Sequence, residues 1–306
     1  MNRVQIHGLK STEYEHPLDK ATLDMLKKTP LLPELLDLVL IPLNSITRLD
    51  LMGNNVLVTE KQFSSLHRLM REACEVLEVA EPLFYVSSHP EMNAYTSCPD
   101  KPIVCIHGYL LDILNDEELL FIIGHELSHI KSQHIIYQVL GQLIMTGALG
   151  AILTTVPGFG IAAETALRYA YFMWARASEF SCDRGGYLAC QNFEASCSAL
   201  MKLAGSNRRH VNELSVEAFI EQGKAFKDID ASDLGKVQKI ILSYEMTHPW
   251  PVARVSELIK FNESGQYYNV LHRKTKPKEQ EINVCKECGK ISQGSAKFCR
   301  WCGHPY

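Results

Sequence analysis

Between Leu119 and Ile130 the chain is almost wholly apolar, yet it sets His125, Glu126, Ser128 and His129 into that run. Asn115 followed by Glu118 is a capping-box pattern, so the spacing predicts a helix that opens at 115 and runs past His129. On a helix, positions four apart share a face, so the imidazoles of His125 and His129 can grip one ion while Glu126 lies beside it. The five-residue string arises by chance in many unrelated proteins, where it is two surface histidines on an ordinary helix. Here Leu119, Leu120, Phe121, Ile122, Ile123, Leu127 and Ile130 surround it. Polar groups half-buried among such neighbours need partners, and a metal supplies one. Zinc held by three protein ligands keeps a position for water and lowers that water's pKa, and a neighbouring carboxylate can take the proton.

A third ligand is required, and the segment Arg176-Ala177-Ser178-Glu179-Phe180-Ser181-Cys182-Asp183 offers one. Arg176, Glu179 and Asp183 fall on one helix face. Glu179 could ligate while Asp183, a turn further on, orients a ligating imidazole. Spacing leaves an ion pair between Glu179 and Arg176 equally open. His134 competes as a ligand, although its place suggests a polar residue at the helix end.

Several motifs in order now make a more specific pattern. Asn93-Ala94-Tyr95, then Ile103 to Leu111, lead through Asp116-Glu117-Glu118-Leu119 into the histidine motif. Arg176, Glu179, Asp183, Thr247-His248-Pro249 and Arg254 follow. Over residues 60–262 the chain resembles the CAAX-prenyl-protease/HtpX-type family of zinc metallopeptidases, the gluzincins. The resemblance implies an α+β, mainly helical, zincin-type domain whose small sheet sets an edge strand beside the active-site helix. It implies Glu179 as third zinc ligand and Asp183 as the support of a ligating imidazole. It also implies that His248 and Arg254 lie near the active site to stabilise a developing oxyanion, and that Asn93, Ala94 and Tyr95 pair with an extended substrate.

Near the other end stands a second ligand set. Cys285-Lys286-Glu287-Cys288 and Cys299-Arg300-Trp301-Cys302 form a double CxxC, each followed by glycine. Two such knuckles bring four thiolates to a tetrahedral site, and a zinc ribbon is the expected product, with iron as a minor alternative. So short a unit buries too little core to fold without its metal. Residues 271–306 hold eight Lys/Arg against three Asp/Glu, which suits an acidic protein partner or solubility. Two zinc ions per chain are expected, one catalytic and one structural.

From Ile135 to Ala163 no residue is charged, and Ile135 to Val156 is long enough to span a bilayer. His129 and Glu179 must meet at one ion, however, so both ends of this insert lie on one side. The return arm would contain Glu164 and Arg168, and charge at membrane depth is costly. A helical hairpin packed over the cleft, or dipping into a membrane surface, is the favoured reading.

Residues 18–40 read as helical, broken by Pro30 and Pro33; 46–51 and 55–59 read as a hairpin around Gly53-Asn54-Asn55. A helix over 62–77, strands over 83–87, 92–96 and 103–106, and a helical stretch over 172–203 with a break near Gly185-Gly186 follow. Helices at 212–226, 230–244 and 251–262 complete the pattern. The division is a metallopeptidase domain over 1–270, with a helical N-terminal region to about 60 and the apolar insert over about 135–174. A charged linker over 271–281 and a ribbon over 282–306 follow.

The net charge of −4 gives no reason to expect nucleic acid. No signal peptide is read in Met1 to Pro17, and the six other cysteines suggest no disulfide framework, so a cytoplasmic setting with reduced thiols is expected. The reading is a zinc metalloendopeptidase acting on extended or unfolded polypeptide, with Glu126 as general base. An adaptor that binds peptide on the same fold is the alternative, but an adaptor has no use for Glu126.

Overall fold

The structure, a computed structural model, describes residues 3–28, 32–148, 150–151, 161–229, 248–273, 282–284 and 291–293. The chain divides into two compact units, Met1–Arg273 and Lys274–Tyr306.

The first unit begins with helices α1 (Pro17–Lys27) and α2 (Leu32–Asn54), strand β1 (Val56–Leu57) and helix α3 (Ser64–Leu77). Strands β2 (Leu83–Ser87), β3 (Ala94–Ser97) and β4 (Ile103–His107) follow, then helices α4 (Gly108–Ile113), α5 (Asp116–Lys131) and α6 (Ile135–Met145). The remainder is α7 (Ile161–Cys190), α8 (Phe193–Gly205), α9 (Val216–Ile229), α10 (Pro251–Glu263) and α11 (Gln266–Leu271). The sheet runs in the order β1-β2-β4-β3. β2 and β4 are parallel, and β1 and β3 pair antiparallel at the two edges. The unit is therefore mainly helical with a small mixed sheet.

α5 forms where its cap predicts. Asn115 Oδ1 accepts from the Glu118 amide at 3.0 Å, and Glu118 Oε2 accepts from the Asn115 amide at 2.8 Å. Acidic Asp116, Glu117 and Glu118 sit in the first turn, where the helix dipole favours negative charge. The helix ends in a Schellman motif: Gln133 takes a left-handed conformation (φ 59°), and the His134 amide reaches back to the His129 carbonyl at 2.9 Å. This turn folds His134 underneath His129.

α5 and α7 cross in close contact, because Gly124 meets Gly185 and Gly186 where they touch. A Cβ on Gly186 would stand 2.6 Å from the Phe121 carbonyl oxygen, and one on Gly124 would stand 3.1 Å from the Gly186 Cα. The expected break at Gly185-Gly186 is thus absent. α7 continues to Cys190, and the glycines serve helix approach instead of helix termination. The expected hairpin over 46–59 is also overturned. α2 extends to Asn54, only Val56–Leu57 is strand, and Asn55 Nδ2 donates to the Leu51 carbonyl at 2.9 Å, closing the helix end.

One core packs α3, α5, α8, α10 and the end of α7 around Leu120, Phe121, Leu127, Leu188 and Leu258. A second packs α1, α2, α6 and the first half of α7 around Leu26, Leu140, Leu143, Phe172 and Trp174. The described halves of the apolar insert therefore join the fold. Among the described residues no helix is long and apolar enough to cross a membrane.

In the second unit the described residues form one antiparallel pair, β5 (Ile282–Val284) with β6 (Ile291–Gln293). Cys285, Cys288, Cys299 and Cys302 lie outside the described residues. So do 274–281 of the expected linker and the expected helix at 230–244.

Candidate active site and metal centre

α5 presents His125 and His129 to α7, which presents Glu179 and Asp183, and Glu126 lies between the two histidines in sequence; all five are buried. His125 Nε2 lies 3.4 Å from Glu179 Oε2, and His129 Nε2 lies 3.3 Å from Glu179 Oε1. Nitrogen and oxygen ligands of a tetrahedral zinc, each about 2.0–2.2 Å from the ion, stand about 3.4 Å apart. Glu179 Oε2 is buried without a hydrogen-bond partner among the described residues. A carboxylate whose two oxygens each face an imidazole nitrogen at this spacing, one of them without a hydrogen bond, fits a zinc ligand set.

Behind His125, Asp183 Oδ1 lies 3.0 Å from His125 Nδ1. Arg254, from the first turn of α10, grips the same carboxylate with both arms, Nη2 to Oδ1 at 2.6 Å and Nε to Oδ2 at 2.8 Å. A carboxylate held this way accepts a proton bond from Nδ1 and leaves Nε2 as the atom that faces Glu179. Arg254 therefore acts on Asp183, and its third nitrogen, Nη1, is 3.7 Å from Glu179 Oε2.

The charges of the site reinforce one another. Burial pulls the His125 imidazole down, but the Glu179 and Asp183 carboxylates outweigh it and hold it up at about 9. Burial holds His129 below its ordinary value. Burial pushes Glu179 up, and the neighbouring His248 and His125 reverse this and keep it well below the usual carboxylate range. Asp183 is likewise pushed up by burial and drawn down by Arg254.

Glu126 points to the sheet. Thr96 Oγ1, on β3, stands 2.7 Å from Glu126 Oε2. Ala94 and Tyr95 belong to the same edge strand, and Asn93 precedes it, its carbonyl accepting the His107 amide at 2.9 Å. His248 lies just ahead of α10 with its side chain 64% exposed and Nε2 4.0 Å from Glu179 Oε2.

Thr96 and Asp19 escaped the sequence reading of the site, and His134, weighed there as a competing ligand, stands behind a ligand candidate instead. Thr96 has no local signature, and only its alternation with Tyr95 on a strand beside the helix points to it. Asp19 and His134 lie on the far side of His129: His134 Nδ1 is 3.1 Å from His129 Nδ1, and His134 Nε2 is 3.2 Å from Asp19 Oδ2. Cys182 also approaches here. With His125 and His129 it brings one donor atom each within 4.8 Å, and its sulfur lies 3.5 Å from His134 Nδ1. Burial, aided by nearby carboxylates, pushes this thiol well above its ordinary value.

The sequence model of peptidase family M48 matches residues 60–261. A plastoglobule-localized metallopeptidase of Arabidopsis thaliana, described as chloroplastic, is 33% identical over 268 residues, covering 87% of this chain and 76% of that protein. A Protease HtpX homolog of Kineococcus radiotolerans is 30% identical over 112 residues, 36% of each chain. Among solved structures, S. mikatae Ste24p aligns with a TM-score of 0.42 and 16% identity, over 79% of this chain and 61% of that one.

Proposed function

From the premise that this chain belongs to peptidase family M48 and is a zinc metalloprotease, we propose that it is an endopeptidase that cuts extended or unfolded polypeptide at the α5–α7 crossing. The observation that carries this reading is the convergence of His125 Nε2 and His129 Nε2 on the Glu179 carboxylate at 3.4 and 3.3 Å. His125, His129 and Glu179 hold the catalytic zinc in this reading. When bound there, zinc lowers the pKa of a water toward neutrality and polarises the scissile carbonyl.

The chain's own groups do the rest. Glu126 takes the water proton as the oxygen–carbon bond forms, then hands it to the leaving nitrogen as the carbon–nitrogen bond breaks. Thr96 fixes Oε2 of that carboxylate, so Oε1 is the atom that carries the proton. Asp183 holds the His125 tautomer, and Arg254 holds Asp183. His248, exposed beside Glu179, is suited to donate to the developing oxyanion. Asn93, Ala94 and Tyr95 offer the open side of β3 to an extended backbone, which a folded substrate cannot supply. The spacing of Cys285, Cys288, Cys299 and Cys302 supports a second, structural zinc in a C-terminal ribbon over 282–306.

Casein cleavage tests the reading. Wild-type protein with zinc should degrade casein and leave a compact folded protein intact, and Glu126→Gln should lose turnover on casein by about 10²–10⁴. Equal cleavage by both proteins would contradict it.

A further inference from the structure

His129 has the same problem as His125. Its Nε2 faces Glu179, so a zinc ligand at this position needs its proton on Nδ1 and needs a buried acceptor for that proton. For His125 the acceptor is Asp183. Beside His129 Nδ1 no carboxylate stands within hydrogen-bond reach among the described residues. The nearest ring nitrogen is His134 Nδ1 at 3.1 Å, placed there by the Schellman turn at the end of α5.

With Nε2 of His129 given to the metal, one proton assignment joins the groups behind it. If His129 Nδ1 donates to His134 Nδ1, the His134 proton must sit on Nε2. That nitrogen lies 3.2 Å from Asp19 Oδ2. Asp19 also accepts from Ser181 Oγ at 2.6 Å and from Trp174 Nε1 at 3.1 Å. His134, Asp19, Ser181 and Trp174 are each no more than 2% exposed, so these bonds lie away from bulk solvent. Trp174 and Ser181 stand two turns apart on α7, and Asp19 lies on the buried face of α1 with Thr22 and Leu26. A carboxylate brought this deep, with no lysine or arginine beside it among the described residues, needs its three donors, and the histidine pair is one of them.

We propose that His134 and Asp19 are positioning residues for the metal site, a relay that runs from α1 through His134 to His129 and fixes the metal-binding tautomer of that ring. The two histidine ligands then have separate anchors: Asp183 with Arg254 for His125, and His134 with Asp19 for His129. The proposal rests on the reading of His129 as a zinc ligand. The Gln138 amide also reaches His129 Nδ1, at 3.3 Å, and would receive that proton only with its oxygen turned toward the ring, so Gln138 is the control for this proposal.

The test measures zinc affinity by chelator competition on the full-length protein. The variants are His129→Ala, His134→Phe, Asp19→Asn, the double variant D19N/H134F and Gln138→Ala. Circular dichroism in chelator reports whether each zinc-free protein is folded. H129A should lose the catalytic zinc. H134F and D19N should each weaken it about 10- to 100-fold. The double variant should be no weaker than the worse single one, because either change breaks the same relay. Q138A should stay close to wild type. In the zinc-loaded wild type, labelled with nitrogen-15, a coupling across the hydrogen bond should link His129 Nδ1 to His134 Nδ1.

Normal zinc binding by H129A overturns the metal-site reading itself. Loss in H129A with wild-type affinity in folded H134F or D19N overturns the relay and leaves the metal site standing. Additive losses in the double variant, a Q138A loss equal to that of H134F, or absence of the nitrogen–nitrogen coupling also overturn the relay. If one variant fails to fold, the coupling in the wild type still decides.

Discussion

Thr96 Oγ1 donates to Glu126 Oε2 across 2.7 Å, tying the carboxylate proposed as base to the edge strand proposed to hold substrate. Thr96 also lies 3.1 Å from the Glu126 carbonyl oxygen, so the hydroxyl sits against both ends of that residue. A strand that shifts on α5 therefore moves the base, and a base that turns loses its contact with the strand.

Thr96→Val keeps the side-chain shape and removes the hydroxyl. The expected result is a fall in kcat of about tenfold, from a buried carboxylate oxygen losing its donor, with zinc content unchanged. Steady-state kinetics on a quenched-fluorescence peptide, beside metal analysis, measure it. A variant with wild-type kcat would remove Thr96 from the site.

The glycine crossing predicts a contrast between two alanine variants. Gly186→Ala drives a methyl group into the Phe121 carbonyl and should destabilise the protein by about 1–3 kcal/mol. Gly53, in α2, has nothing within 4 Å of its would-be Cβ, and Gly53→Ala should be neutral or stabilising by up to about 1 kcal/mol. Thermal melts of both variants in the presence of zinc make the comparison.

Much of this site is legible in the sequence, because its signals are local. The helix carrying His125 and His129, the capping box at Asn115 and Glu118, and the strand at 83–87 each announce themselves within one turn or one alternation. The errors come from contacts that local pattern does not encode. Gly53-Asn54-Asn55 reads as a hairpin turn, yet Leu51 is buried beside Tyr85, Ile103 and Cys105, and that packing carries α2 to Asn54. Gly185-Gly186 reads as a break because the partner at Gly124 is far away in sequence. Asp19 reads as one more helical residue, since nothing near it signals that Trp174, Ser181 and His134 converge on its carboxylate.

Acid stability should carry the mark of Glu257. Burial pushes its carboxyl up, but hydrogen bonds from His16 and Lys260 bring it down to about 2. A depressed carboxyl contributes stability that is present above its ordinary value of about 4.5 and is lost as pH falls toward 2. Glu257→Gln should therefore be less stable than wild type at pH 7, by about 1–2 kcal/mol after allowance for partial exposure. The gap should close as pH falls below about 4.5. Urea melts at several pH values measure it, and a gap that widens toward low pH would contradict the assignment.

The central claim is that Glu179 holds the metal while Glu126 moves the proton, and zinc stoichiometry beside peptide hydrolysis separates the two most directly. Glu126→Gln should retain the catalytic zinc while turnover falls by about 10²–10⁴. Glu179→Ala leaves two imidazoles, so zinc affinity and turnover should fall together, with partial recovery as zinc is added. If Glu179→Ala binds the catalytic zinc as wild type does, or Glu126→Gln loses it, the assignment of ligand and base is wrong.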